Sequence, residues 1–178
     1  VNIYANLAAG VFILTYFLFS AFAGFLADKY CRSKLTRVLK IVELVLMSTA
    51  AVIFMFDAPN LLIFMLFLMG LQSTFFGPIK YALLPQLLKS NELVAGNAYV
   101  EASTYISIIL GSILGTMLPI YASVFLLILC AAAGVFSAYK IPETAGVQSD
   151  LKISFNLSRQ IKENISLIRS HTIVFRTI

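Results

Sequence analysis

The strongest constraint on the fold of this chain is a series of long apolar runs separated by short polar turns. A helix needs roughly 20 apolar residues to cross the hydrocarbon core of a bilayer. Five runs of about that length are predicted as spans, at residues 3–27, 38–56, 61–88, 95–118 and 121–139. Because the turns are short, consecutive spans run antiparallel. The sequence therefore predicts an all-α, polytopic transmembrane helical bundle.

The composition supports a membrane protein and argues against several other classes. The 178 residues are 60% hydrophobic and 12% charged, whereas a soluble domain carries about 25% charged residues. One histidine, His171, and two cysteines, Cys31 and Cys130, have no metal-ligand spacing. We therefore expect no metal site, no cofactor, no catalytic residue and no nucleic-acid partner.

The net charge is +5, and the positions of the basic residues predict how the chain is oriented in the membrane. Basic residues gather after the first span and after the fifth, while the turns at 57–60 and 119–121 contain no Lys or Arg. The positive-inside rule then predicts a multi-pass protein whose chain starts outside and whose basic loops are cytoplasmic. These loops hold Lys29, Arg32, Lys34, Arg37 and Lys40 after the first span, Lys89 after the third, and Lys140, Lys152, Arg159, Lys162 and Arg169 after the fifth.

The polar segment at 140–171 is predicted to be a cytoplasmic loop that contains an amphipathic helix. Apolar residues recur there with helical period, which is typical of a helix at the membrane interface. A soluble linker helix packed on the protein is the alternative. Residues 172–178 are predicted to begin a further transmembrane helix. The apolar face consists of Leu157, Ile161, Ile165 and Ile168.

Apart from Lys40, near the start of the second run, three ionisable residues lie inside the apolar runs: Glu43, Lys80 and Glu101. A bilayer opposes such groups by several kcal/mol, so they usually face a partner or a water-filled path. At about 1.5 Å per helical residue, all three fall in the cytoplasmic half. One interpretation pairs Lys80 with Glu101 or Glu43. In the other, Lys80 extends to the interface and Glu101 is held by helix-terminal amides.

Pro78 removes a hydrogen-bond donor within the third span and predicts a kink there. Hydroxyl groups of Ser73 or Thr74 could satisfy the carbonyl that is released. A kink would turn polar side chains toward a cavity, although ordinary helix packing is the alternative. The predicted substrate path is Gln72, Thr74, Pro78 and Tyr81. Gly111 and Gly115, four residues apart, predict close helix packing.

Residues 24–34, between the first two spans, resemble the signature of the major facilitator superfamily. Gly24, Asp28, Lys29 and Arg32 match it, whereas Cys31 replaces a glycine and Ser33 replaces a basic residue. The resemblance implies that residues 1–139 form helices two to six of the N-terminal half. The first helix and the C-terminal half would then lie outside this chain, as its missing partners. If Lys80 is paired with Glu101 or Glu43, these residues together with the charged loop predict a cytoplasmic gate, which comprises Gly24, Asp28, Lys29, Arg32, Glu43, Lys80 and Glu101.

Within that superfamily, the chain resembles bacterial lysophospholipid transporters and the permease-like domains fused to a glycerophospholipid acyltransferase. The runs that carry this likeness are TFFGPIKY at 74–81 and GNA at 96–98, followed by Glu101 and Ala102. The resemblance implies that lysophosphatidylethanolamine moves from the outer to the inner leaflet of a bacterial inner membrane and is reacylated there. Implied partners are membrane lipid, the lysophospholipid substrate, an acyltransferase and an acyl-carrier-protein synthetase, the two enzymes being fused or separate.

Other functions remain open from the residues alone. A permease for a drug, a sugar or another metabolite is one alternative, and the membrane part of a fused acyltransferase enzyme or a scaffold is another. Polar residues are sparse in the outer half, which favours an amphiphilic substrate over a sugar. The fused acyltransferases carry a motif of His, four residues, then Asp. His171 is followed four positions later by Phe175 and five positions later by Arg176, so this motif is absent from this stretch. We therefore expect a transporter and not an enzyme.

Overall fold

The computed structural model describes residues 3–54, 56 and 58–143, and within them it contains helices and no strand. The all-α prediction is confirmed. The predicted amphipathic helix of segment 140–171 and the further span at 172–178 lie outside the described residues. The helices are α1 Ile3–Lys29, α2 Arg32–Phe54, α3 Pro59–Leu87, α4 Leu93–Met117 and α5 Ile120–Tyr139.

Four of these helices, α1, α3, α4 and α5, are long and apolar enough to cross a membrane. The second predicted span, at 38–56, differs from the structure because α2 begins already at Arg32. The first half of α2 carries five charged residues, so α2 is not among the four helices that are apolar enough to cross a membrane. The five residues are Arg32, Lys34, Arg37, Lys40 and Glu43.

Proline residues mark two of the helix beginnings. Pro59 lies in the first turn of α3, and Pro119 directly precedes α5. A proline suits this position because the first N–H groups of a helix have no intrahelical partner and its φ angle is already helical. Pro78 and Pro85 lie inside α3, which is helical on both sides of each.

Helix α3 is the centre of the bundle. It packs most extensively against α1, then against α2, and only slightly against α4, while α5 packs against α2. Helix α4 has no buried residue. We call the end that holds Lys29, Arg32 and Tyr139 the basic end, and the end that holds Phe54 and Pro59 the opposite end.

Helices α1 and α3 approach each other closely at Gly70. A Cβ atom added at Gly70 would lie 2.7 Å from Thr15 Oγ1 and 3.2 Å from the Phe12 ring. Thr15 is fully buried, and its hydroxyl donates to the Phe12 carbonyl at 2.6 Å. Only glycine fits here without displacing a side chain that is itself held by a hydrogen bond.

The close packing predicted for Gly111 and Gly115 is not present among the described helices. A Cβ atom added at either position would meet nothing within 4 Å. The packing role of Gly111 and Gly115 in the complete protein stays a prediction. Among the described helices, close packing occurs at Gly70, where a single small residue faces Thr15. The sequence offered no spacing signal for that pair.

We predict that Gly70→Ala lowers the free energy of unfolding of the complete protein by about 1–3 kcal/mol, the usual cost of overpacking. Gly10→Ala is the matched control, because a Cβ atom there meets nothing within 4 Å. Thermal or denaturant unfolding in detergent measures both. Adding Thr15→Ala to Gly70→Ala should cost less than the two single losses combined, and strict additivity would contradict the proposed steric conflict.

Candidate functional site

A cavity of about 860 Å³ opens between α2, α3 and α4, nearer the basic end. We call it the polar cavity because charged and hydroxyl side chains line much of it. Among them are Lys40, Glu43, Gln72, Lys80, Thr104 and Ser107. Three helices thus supply polar groups to one space.

Glu43 lies at the centre of a hydrogen-bonded network on the α2 side of the polar cavity. Lys40 Nζ lies 2.7 Å from its carboxylate, and Gln72 Nε2 donates to the same oxygen at 3.1 Å. The Lys40 ammonium also lies 4.4 Å from the centre of the Phe76 ring. Sequence reasoning missed Lys40, although its spacing of three residues from Glu43 places both on one helix face.

Lys80 occupies the α3 side of the same cavity and differs from Lys40 in its partners. Its ammonium donates to Thr104 Oγ1 at 3.2 Å and lies 4.8 Å from the centre of the Tyr81 ring. Among the described residues, no carboxylate forms an ion pair with it. The predicted pairing of Lys80 with Glu101 or Glu43 is therefore wrong for this structure.

Both proposed acidic partners of Lys80 are engaged elsewhere. Glu43 binds Lys40, and Glu101 accepts a hydrogen bond from the Tyr81 hydroxyl. Lys80 and Tyr81 are consecutive, so their side chains leave α3 about 100° apart, as the helical repeat requires. The Tyr81 side chain is the one that reaches Glu101, and Lys80 reaches Thr104 one turn further along α4.

The remaining residues of the predicted substrate path have different surroundings. Gln72 lines the polar cavity, whereas Thr74, Pro78 and Tyr81 line neither this cavity nor the next one described. Thr74 is buried and donates to the Gly70 carbonyl at 2.8 Å, and Ser73 lies within 3.5 Å of the Gln72 side-chain oxygen. These hydroxyls therefore do not serve the carbonyl of Thr74. The kink at Pro78 stays a prediction.

A second cavity, of about 770 Å³, lies toward the opposite end of the bundle. We call it the apolar cavity, since its walls are mostly hydrocarbon. Side chains from all five helices contribute, among them Ala8, Phe54, Leu66, Gly115 and Leu127. Met47 and Met69 line both cavities, so polar and apolar spaces adjoin along the bundle.

Comparison with known proteins identifies the family. The family profile described as Major Facilitator Superfamily matches residues 3–177. The chain belongs to the major facilitator superfamily. It thus belongs to a family of multi-pass membrane transporters, as the resemblance at residues 24–34 implied.

Individual relatives within the superfamily carry the name lysophospholipid transporter LplT. The chain is 32% identical over 143 residues to that protein from Citrobacter koseri, an alignment that covers 78% of this chain and 34% of the relative. It is 32% identical over 124 residues to the one from Salmonella paratyphi B, covering 69% and 29%. The chain spans about a third of the length of the relatives it matches. No solved structure matches it.

The residues of the superfamily signature form a cluster of their own at the turn from α1 to α2. Arg32 Nε donates to the Ala27 carbonyl at 3.0 Å, and Arg32 Nη2 lies 3.4 Å from Asp28 Oδ1. Arg32 thereby satisfies a carbonyl at the end of α1, where the helix provides no partner. The side chain of Arg32 is only 11% exposed, against 62% for Asp28.

The predicted gate is therefore divided between distinct places. Glu43 and Lys80 line the polar cavity. Asp28, Lys29 and Arg32 lie at the α1–α2 turn, where the Lys29 ammonium is 5.7 Å from the centres of both the Phe25 and Tyr30 rings. A Cβ atom added at Gly24 meets nothing within 4 Å. Glu101 joins α4 to Tyr81.

The contacts between α3 and α4 predict a specific pattern of coupling. In a double-mutant cycle, Tyr81→Phe and Glu101→Gln should be coupled by about 0.5–3 kcal/mol, since they remove the two ends of one hydrogen bond. Lys80→Met and Glu101→Gln should be closer to additive, because these side chains share no contact. Denaturant unfolding of the complete protein in micelles measures both cycles. If Lys80 and Glu101 were coupled more strongly than Tyr81 and Glu101, the prediction would be wrong and an ion pair between Lys80 and Glu101 would be indicated.

Proposed function

We propose that the complete protein moves lysophospholipid, specifically lysophosphatidylethanolamine, from the outer to the inner leaflet of a bacterial inner membrane. The proposal extends to this chain the function in the name of its relatives, lysophospholipid transporter. In this proposal the basic loops are cytoplasmic, the protein performs no chemical conversion, and reacylation is the work of an acyltransferase and an acyl-carrier-protein synthetase, fused or separate.

The observation that carries the proposal is the adjoining pair of cavities. A lysophospholipid has one acyl chain and a phosphodiester headgroup, so its site must offer an apolar space beside a cationic one. The apolar cavity and the polar cavity meet at Met47 and Met69. A methionine wall adapts to chains of different shape because its side chain is flexible and polarisable.

Lys80 is the residue proposed to bind the phosphate. Its ammonium faces the polar cavity, its hydrogen-bond partner Thr104 is uncharged, and no described carboxylate neutralises it. A lysine in this state favours an anionic ligand, because a charge-assisted hydrogen bond to phosphate would satisfy its remaining donors. Gln72 and Ser107 add uncharged hydrogen-bonding groups to the same space.

The direction of the two cavities agrees with delivery to the inner leaflet. With the basic end in the cytoplasm, a headgroup in the polar cavity lies toward the cytoplasm and its chain points toward the opposite end. A lipid of the inner leaflet has this orientation. The apolar cavity also disfavours a sugar, which needs many hydrogen-bonding groups. In this proposal Asp28, Lys29 and Arg32 form the cytoplasmic gate with parts of the protein outside this chain.

Uptake of labelled lysophosphatidylethanolamine tests the proposal, in cells that lack their own uptake route and produce the complete protein. Lys80→Met should reduce uptake about tenfold or more, the factor expected from losing one charge-assisted hydrogen bond. Lys89→Met is the matched control: it also removes one positive charge, from the exposed turn between α3 and α4, and uptake should be unchanged.

One outcome would contradict the function, and another would contradict the role of Lys80. The first is a well-inserted parent protein that shows no uptake of lysophospholipid, while a sugar or drug is transported instead. The second is normal uptake by Lys80→Met, which would remove Lys80 from the phosphate site. Amounts of inserted protein must be equal across variants, so that a folding defect is not mistaken for lost binding.

A further inference from the structure

The Lys40 side chain reaches the polar cavity by passing between α2, α3 and α5. It begins on α2 and passes over Gly134 of α5, where an added Cβ atom would lie 3.4 Å from Lys40 Cδ and 3.7 Å from Nζ. The ammonium then rests 4.4 Å from the centre of the Phe76 ring on α3. Only 19% of the side chain is exposed, so packing on three sides determines where its charge lies.

The position of this charge determines that of Glu43. The carboxylate, itself 21% exposed, is 2.7 Å from Lys40 Nζ and accepts a second hydrogen bond from Gln72 at 3.1 Å. Gln72 is itself oriented by the backbone of α2, since its amide nitrogen lies 3.4 Å from the Leu39 carbonyl. Glu43 is therefore held on the α2 side by two donors.

The position of the Glu43 carboxylate affects Lys80, because the two charges attract each other. Lys40, Glu43 and Lys80 line one cavity, and in surroundings of low dielectric constant opposite charges attract more strongly than in water. If Lys40 were neutral, Glu43 would lack its cationic partner, and Lys80 would be the one remaining lysine or arginine among the described residues that line this cavity. A lysine paired in that way would no longer be available to an anionic ligand.

We propose that Lys40 is a positioning residue for the phosphate site: by holding Glu43 against α2, it keeps the Lys80 ammonium available to the substrate phosphate. The inference rests on the proposed function, in which Lys80 binds that phosphate. Lys40 itself does not touch the substrate in this arrangement. It acts through Glu43, and its removal should harm binding only while Glu43 remains charged.

This dependence gives a pattern of variants that a merely structural role would not produce. In the complete protein, Lys40→Met should raise the KM for lysophosphatidylethanolamine about tenfold and change the maximal rate less. Glu43→Gln alone should raise the KM less than Lys40→Met does, because it leaves no carboxylate at position 43 that could pair with Lys80. The double variant Lys40→Met/Glu43→Gln should return to within about threefold of the parent KM, because Lys80 then has no carboxylate to pair with.

A second measurement reports on Lys80 directly and needs no transport. The rate at which an amine-reactive reagent modifies Lys80, followed by mass spectrometry, should fall about fivefold or more in Lys40→Met and recover in the double variant, since an ion-paired ammonium loses its proton less readily. Lys89→Met is the control and should leave the rate unchanged. Thermal unfolding of each variant separates these effects from a loss of fold.

The outcomes distinguish the two proposals. If Lys80→Met abolishes uptake but Lys40→Met leaves both KM and Lys80 reactivity unchanged, the phosphate site stands and the role of Lys40 is wrong. A raised KM that Glu43→Gln fails to rescue would also overturn it. If the well-inserted parent takes up no lysophospholipid, while Lys40→Met still suppresses Lys80 reactivity, the charge arrangement stands and the lysophospholipid function is wrong.

Discussion

The bundle depends on the close approach of α1 and α3. Thr15 is buried against Gly70, and a side chain at position 70 would collide with its hydroxyl or with Phe12. Between helices in a lipid environment the hydrophobic effect contributes little, so backbone proximity and van der Waals contact supply much of the association. Because α3 also contacts α2 and α4, its position against α1 determines where both cavities open.

Polar contacts determine the arrangement at the basic end. Two arginines of α2 each satisfy a carbonyl at the end of a neighbouring helix: Arg32 binds the Ala27 carbonyl of α1, and Arg37 binds the Ile141 carbonyl just after α5, at 2.8 Å. The same arginine lies 3.6 Å from Glu143. Helix α2 therefore joins α1 and α5 through side chains, even though its direct packing on α1 is slight.

The division between polar and apolar cavities follows from the same arrangement. Charged residues enter α2 only in its first half, so the polar cavity can form only near the basic end, and Met47 begins the apolar wall one turn after Glu43. Helix α4 closes neither cavity completely, because it packs only slightly against α3, with hydrogen bonds at Glu101 and Thr104, and has no buried residue. For an amphiphilic substrate, this gradient along the bundle offers one site for each end of the molecule.

Apolar run length by itself determined the all-α class and the approximate helix bounds, because lipid leaves few alternatives to a helix for a long apolar run. The resemblance at Gly24–Arg32 indicated the family, because that motif is local. The sequence also predicted that Glu43, Lys80 and Glu101 lie in one half of the membrane. Only the tertiary structure decided their partners, since these depend on how α3 is rotated against α4: consecutive Lys80 and Tyr81 point about 100° apart, and packing alone selects which one meets Glu101.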